Sequence, residues 1–121
     1  MTSQLLICET CGYDAANPEQ PRRGALFAEQ VERLALERGV SLRLGRTRCL
    51  MACQRHCSVL LREPGKITYV LGDFQPDQAA AQALLDYAEH YRISNSGQVP
   101  FRDWPQGIKG KFIARIPVLD D

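Results

Sequence analysis

Five cysteines stand out in this chain because their spacing places them in two groups. Cys8 and Cys11 form a C-x-x-C, and Cys49, Cys53 and Cys57 recur at every fourth position in the stretch TRCLMACQRHC. A single cysteine is usually a small buried apolar residue. Five of them, grouped in this way within 121 residues, instead indicate a joint chemical role. Thiolates in such groups bind metals or exchange disulfides.

The composition is that of a soluble globular protein, which we expect in the cytoplasm. Apolar residues make up 45% and charged residues 24% of the chain, and the net charge of +1 gives no field that favours nucleic acid or an anionic membrane. The sequence shows no signal peptide, and no apolar run approaches the ~20 residues of a membrane-spanning helix. In a reducing compartment, clustered thiols are metal ligands or redox groups more often than structural disulfides.

The first half of the chain predicts a strand, a helix and a second strand. Residues 4–8 (QLLIC) read as a short apolar strand, and residues 24–38 place Phe27, Val31, Leu34 and Ala35 on one helical face. Gly39 follows as a C-terminal cap, and residues 40–44 (VSLRL) alternate as a half-buried strand does. These elements predict a right-handed βαβ unit with two parallel strands.

The second half predicts a hairpin, a helix and an extension. Residues 58–63 and 66–73 are strand-like and are joined by Pro64-Gly65. A helix is expected to begin at Pro76, with an apolar stripe formed by Ala81, Leu84, Leu85, Ala88 and Tyr91. Residues 1–92 are therefore one α/β domain with a mixed four-stranded sheet, for which a thioredoxin-like topology fits best. Residues 93–121 form a C-terminal extension that packs on this domain or on a second subunit.

The predicted topology brings the two cysteine groups to one edge of the sheet. Parallel strands end at the same edge, and the first two cysteines follow the first strand while Cys49 and Cys53 follow the second. Ligand sites in open α/β sheets form outside these carboxyl ends. Four thiolates from two loops suit tetrahedral zinc or an iron–sulfur cluster. Disulfide exchange at Cys8–Cys11 is the weaker alternative, because a proline-containing loop separates Cys11 from the helix that would lower its thiol pKa.

With these residues in view, the chain resembles the thioredoxin-like [2Fe-2S] ferredoxins, a family that includes the small iron–sulfur subunit of respiratory complex I. The segment CLMAC, Cys49–Cys53, corresponds to the family's C-x-x-x-C after the second strand. The run from Ser58 to Tyr91 resembles its hairpin and closing helix. The resemblance covers roughly residues 4–91 and implies a [2Fe-2S] cluster that carries single electrons, without catalysis by the chain itself.

More narrowly, the chain is similar to a bacterial family known only as predicted metal-binding proteins. The C-x-x-C start, the triple-cysteine loop and the sequence RIP at Arg115–Pro117 carry this similarity. Members of that family often occur near cobalamin-biosynthesis genes, so the resemblance implies a link to cobalamin metabolism.

The resemblance implies Cys8, Cys11, Cys49 and Cys53 as the ligands. The family's first pair is usually spaced more widely than here, and Cys57 falls where the family typically has a proline. Cys57 is therefore the alternative ligand in place of Cys11, a thiol beside the cluster, or a buried residue at the start of the third strand. The same cysteines binding zinc is the alternative cofactor assignment.

Charged residues flank the proposed ligands. Arg46, Arg48 and Arg55 would favour the reduced, more negative cluster, or they form a solvated loop surface. All-cysteine clusters of the plant type have potentials near about −400 mV, and we expect a less negative value here because of the arginines. His56 is expected beside the site and not as a ligand.

We therefore expect an electron-transfer protein that serves a dedicated partner enzyme, whose identity the sequence does not give. The near-neutral charge disfavours a general acidic shuttle. The resemblance also implies a homodimer, for which the apolar extension could supply the interface. The alternative function is a zinc-binding or metal-handling protein.

Overall fold

The elements of the fold are short, and they alternate in the order that the sequence predicts. A computed structural model describes residues 2–10, 16, 19, 22–48, 50 and 57–118. Its elements, in chain order, are β1 (Gln4–Cys8), α1 (Arg23–Arg38), β2 (Arg43–Thr47), β3 (Val59–Arg62), β4 (Thr68–Leu71), α2 (Gln78–Ile93), two single-turn 3-10 helices (Phe101–Asp103 and Gln106–Ile108) and β5 (Phe112–Ile116).

The sheet is mixed, and its order is β2-β1-β3-β4-β5. β1 pairs with β2 in parallel, and all other neighbours are antiparallel. The α/β class and the βαβ-hairpin-helix order are confirmed. The prediction of four strands is wrong, because the C-terminal extension adds β5 to the edge of β4.

The two helices owe their ends to different capping residues. α1 ends at Gly39, whose φ of 64° lets its N–H reach the carbonyls of Ala35 and Leu36. α2 begins after Asp77, whose carboxylate accepts a hydrogen bond of 2.8 Å from the Ala80 N–H. The predicted helix start at Pro76 is therefore wrong by two residues, because the Asp77 cap decides where the helix begins. Within the described residues, neither helix has the length and apolarity to cross a membrane.

β2 lies three residues later than the sequence indicates, at Arg43–Thr47 and not at residues 40–44. The Val40 N–H is hydrogen-bonded to the Ala35 carbonyl, so Val40 still belongs to the end of α1. Pairing with β1 begins where the Arg43 N–H meets the Ser3 carbonyl at 3.0 Å. The carboxyl end of β2 is therefore closer in sequence to Cys49 than predicted.

The core lies between one face of the sheet and the two helices, which pack against each other. The predicted stripe of α2 is confirmed, because all five of its residues are buried. From α1, Phe27 stacks on Phe74 with ring centroids 5.1 Å apart. Ala83 and Tyr87 of α2 are also buried, although they lie outside the predicted stripe.

The C-terminal extension covers this additional side of α2. Trp104 and Phe112 pack on each other with ring centroids 4.8 Å apart, and both contact Tyr87. A Cβ at Gly107 would lie 2.7 Å from the Ala83 Cβ, so the backbone of the extension touches the helix. Trp104 and Phe112 are thus partly buried against their own chain, whereas Phe101 of the same extension is 64% exposed.

The other face of the sheet carries three rows of side chains that run across the strands, as the register and the alternation of side chains require. No helix among the described residues covers this face. The cysteine row lies at the carboxyl ends of β1 and β2, the apolar row lies in the middle, and the arginine row lies at the amino ends of β1 and β2. In register order the cysteine row is Thr47, Cys8 and Ser58, the apolar row is Gly45, Leu6, Leu60, Val70 and Ala114, and the arginine row is Arg43, Gln4, Arg62, Thr68 and Ile116.

Candidate metal centre

The carboxyl ends of β1 and β2 lie side by side, because the two strands are parallel neighbours and are paired in register. Cys8, the last residue of β1, lies opposite Thr47, the last residue of β2. Beyond the strands, the Glu9 N–H still donates to the Thr47 carbonyl at 2.9 Å. The loops that carry the two cysteine groups therefore start from adjacent positions at one edge of the sheet.

Cys8 is held at this edge by contacts with both loops. Its Sγ lies 3.4 Å from the carbonyl oxygen of Arg48 and 3.6 Å from the Thr10 hydroxyl. The Thr10 hydroxyl also donates to the Arg48 carbonyl. Only 2% of Cys8 is exposed. Since Arg48 is followed directly by Cys49, the thiol of the first group lies beside the backbone that leads into the second.

The other three expected ligands, Cys11, Cys49 and Cys53, lie outside the described residues, as do Arg55 and His56. In the described part of the chain, no three cysteine, histidine or acidic side chains lie close enough to hold a metal ion together. Cys8 is the one member of the expected set whose position the structure gives. Its place at the carboxyl end of β1 is the place that the topology predicts.

Cys57 lies in a different environment from Cys8. It is fully buried and belongs to the hydrophobic core beneath the helices. Its N–H donates to the Phe74 carbonyl at 3.2 Å, which fixes the chain just before β3. Cys8 alternates with the core residue Ile7 along β1, so its side chain belongs to the opposite, uncovered face. The sheet therefore stands between the two cysteines.

The arginines near the edge have different roles. Arg46 forms a two-pronged salt bridge with Glu32 of α1, with N–O distances of 2.7 and 2.9 Å. This hydrogen bonding lowers the pKa of Glu32. Alternation along β2 turns the Arg46 side chain toward α1 and away from the face of Cys8. Arg48 is exposed at the edge itself.

Thr10 is a residue of this edge that the sequence did not single out. It contacts both the Cys8 thiol and the Arg48 carbonyl, so it ties the first loop to the end of β2. The available signal was its position two residues after Cys8, which places it on the same side of an extended chain. That signal is too common among threonines to be selective.

Comparisons with known proteins give a family and no relative of established function. A search of curated proteins found no match. A family described as "Protein of unknown function (DUF1636)" matches residues 5–118. Because this match covers nearly the whole chain, from β1 to the residues just after β5, the protein belongs to the DUF1636 family.

Proposed function

We propose that this protein binds a [2Fe-2S] cluster through Cys8, Cys11, Cys49 and Cys53 and transfers single electrons to a dedicated partner enzyme. The observation that carries the proposal is the in-register parallel pairing of β1 and β2, which starts the two cysteine loops at adjacent positions. The contact between the Cys8 thiol and the Arg48 carbonyl brings the first motif against the backbone that leads into the second.

The donor set fits such a cluster. Four thiolates are what an all-cysteine [2Fe-2S] centre requires. The burial of Cys57 on the far side of the sheet favours the four other cysteines as the ligands. The strand order β2-β1-β3-β4, with a parallel first pair and a closing helix, supports the thioredoxin-like interpretation of the fold.

The surrounding residues would tune the potential of the cluster. When bound, a [2Fe-2S] cluster supplies a one-electron redox couple, and its reduction adds one negative charge. The exposed Arg48 favours that charge, whereas the Arg46 charge is offset by Glu32. We therefore expect a potential closer to about −400 mV than three unpaired arginines would give.

The partner and the assembly are part of the proposal. The link to cobalamin metabolism and the homodimer rest on the family resemblance described above. The tail residues Trp104 and Phe112 pack within their own chain and lend the dimer no support. A monomer in size-exclusion chromatography with light scattering would contradict the dimer.

The first experiment is anaerobic purification, followed by a visible spectrum and assays for iron, acid-labile sulfide and zinc. We expect a red-brown protein with about two irons and two sulfides per chain. Single Cys→Ser changes at the four proposed ligands should each bleach the visible spectrum or greatly reduce it.

The matched control is Cys57→Ala, which removes a cysteine from the core and not from the edge. It should keep the spectrum and lower the free energy of unfolding by about 1 kcal/mol, because it deletes one buried heavy atom. A colourless protein that holds zinc even after reconstitution with iron and sulfide would establish the zinc alternative. Loss of the spectrum in folded Cys57→Ala would contradict the ligand set.

A further inference from the structure

A second candidate site lies at the end of the sheet opposite the cysteines. A cleft of about 750 Å³ opens along the arginine row of the uncovered face. Its lining includes Gln4 and Thr68 of this row and, at the β5 end, the apolar residues Ile116, Pro117 and Val118. This volume lies within the range of small-molecule binding sites. Gln4 and Cys8 are the two ends of β1, so the cleft and the cysteine edge are about 13 Å apart.

Two arginines flank one amide on the floor of the cleft. Gln4 is the register partner of Arg43 on one side and of Arg62 on the other. The Arg62 Nε donates to the Gln4 Oε1 at 2.8 Å, which leaves the amide NH₂ of Gln4 as a further donor. Three adjacent strands thus present guanidinium, amide and guanidinium groups in one line.

The charge of this cleft is not balanced by its own acidic lining. Four charged residues line it, and three of them, Arg43, Arg62 and Lys66, are cationic, while Glu63 is anionic, which gives a net charge of +2. Glu63 is already bound by Lys66 at 3.2 Å and by the Ser3 hydroxyl at 2.5 Å. Within the described residues, neither arginine forms a salt bridge with a carboxylate. The cleft therefore offers donors to an anion that must come from outside these residues.

From this geometry we infer that the arginine end of the cleft binds a small anion, with its phosphate or carboxylate group on Arg43, Gln4 and Arg62. Guanidinium groups bind phosphate and carboxylate oxygens through paired hydrogen bonds. Ile116 lies three strand spacings from Gln4, about 14 Å, so it does not contact a small anion held at the arginines. The inference does not depend on a cluster at the cysteines.

Phenyl phosphate and inorganic phosphate are suitable probes for calorimetric titration of the full chain as purified. We expect saturable binding of both. Arg43→Gln and Arg62→Gln should each weaken phenyl phosphate binding by about tenfold, the value of one charge-assisted hydrogen-bonding partner. Ile116→Thr should leave both affinities unchanged, because Ile116 lies at the opposite end of the cleft from Arg43 and Gln4.

Arg33→Gln is the matched control, because it makes the same charge change at an exposed position on α1. It should leave both affinities unchanged. Equal weakening by Arg33→Gln would show that the loss of affinity comes from the change in net charge, and it would overturn the site. Unsaturable binding, or native affinity in Arg43→Gln and Arg62→Gln, would also overturn it. An NMR signal of the Gln4 side-chain amide that shifts with phenyl phosphate would place the anion at this row.

Discussion

Replacing Lys66 with Met should destabilise the protein far more than an ordinary surface substitution. Lys66 is only 8% exposed, yet its ammonium group has a partner for each of its three protons. It donates to the carbonyls of Tyr91 and Arg92 at 3.1 and 2.7 Å, and it pairs with Glu63 at 3.2 Å. The charge thus stabilises the C-terminal end of α2, where the helix dipole favours a cation.

The expected loss is about 3 kcal/mol in the free energy of unfolding. Met keeps the volume of Lys66 but leaves the Glu63 carboxylate buried without its cation. Removing one partner of a buried pair costs about 3–5 kcal/mol, and the low end applies because 12% of the Glu63 side chain is exposed. With an unfolding entropy of about 2.1 cal/mol/K per residue, the melting temperature should fall by about 12 °C.

The pH dependence gives an independent check. Burial raises the pKa of Glu63, but hydrogen bonds from Ser3 and Lys66 outweigh it and lower that pKa overall. A lowered folded pKa means that Glu63 contributes stability that is complete above its unfolded pKa of about 4.3. This stability is lost as the pH falls through the lower folded value. Lys66→Met removes the hydrogen bond and the charge of Lys66, both of which lower the pKa of Glu63, so this pKa rises relative to the native protein and the deficit of the variant should shrink on acidification.

Urea denaturation of the native protein and of the variant at several pH values measures these differences. Lys109→Met is the control, because Lys109 is exposed and lies over the Phe101 ring at 4.9 Å, a contact worth about 1 kcal/mol or less. Equal losses for Lys66→Met and Lys109→Met would refute the reasoning. A deficit that widens as the pH falls would refute the account of Glu63.

Two further substitutions test the elements that complete the fold. Trp104→Ala should lower the free energy of unfolding by about 2–3 kcal/mol, because half-buried Trp104 packs on Phe112 and donates to the Val99 carbonyl at 2.9 Å. The control Phe101→Ala changes a residue that is 64% exposed and should cost less than about 1 kcal/mol. Equal losses in thermal or urea unfolding would contradict the packing role of Trp104. Asp77→Ala should lower the free energy of urea unfolding by about 1 kcal/mol, because it removes the cap of α2. Asp77→Asn should keep most of the native stability, because asparagine also caps helices. Native stability in both variants would contradict the capping role.

The parts of the fold that could be predicted are those set by local patterns. β1 and the buried face of α2 follow from apolar runs and helical periodicity, and both are where the sequence places them. β2 was misplaced because Gly45 interrupts its strand-like composition. The neighbouring strand explains the glycine at this position, since a Cβ at Gly45 would come within 2.8 Å of the Leu6 Cδ2. β5 was missed because glycines and prolines precede it and its partner β4 is distant in sequence.

The candidate site was predictable to the same degree. That Cys8 lies beside the end of β2 follows from the rule that parallel strands end at one edge. The sequence leaves three alternatives for Cys57, one of them a buried residue at the start of β3, because the face to which a cysteine belongs changes with a shift of one residue in where β3 begins. Its burial in the core separates it from Cys8 only once the register of β3 is known.

The central position of β1 has a consequence for how the chain folds. Its five residues pair on one side with β2, which begins 39 positions later at Arg43, and on the other side with β3, where Gln4 lies opposite Arg62. Neither ladder can form until long loops have closed, so the chain loses the loop-closure entropy before most strand pairs have formed to offset it. We therefore expect slow folding for a chain of this size. During synthesis, β1 therefore remains unpaired until β2 and β3 have left the ribosome.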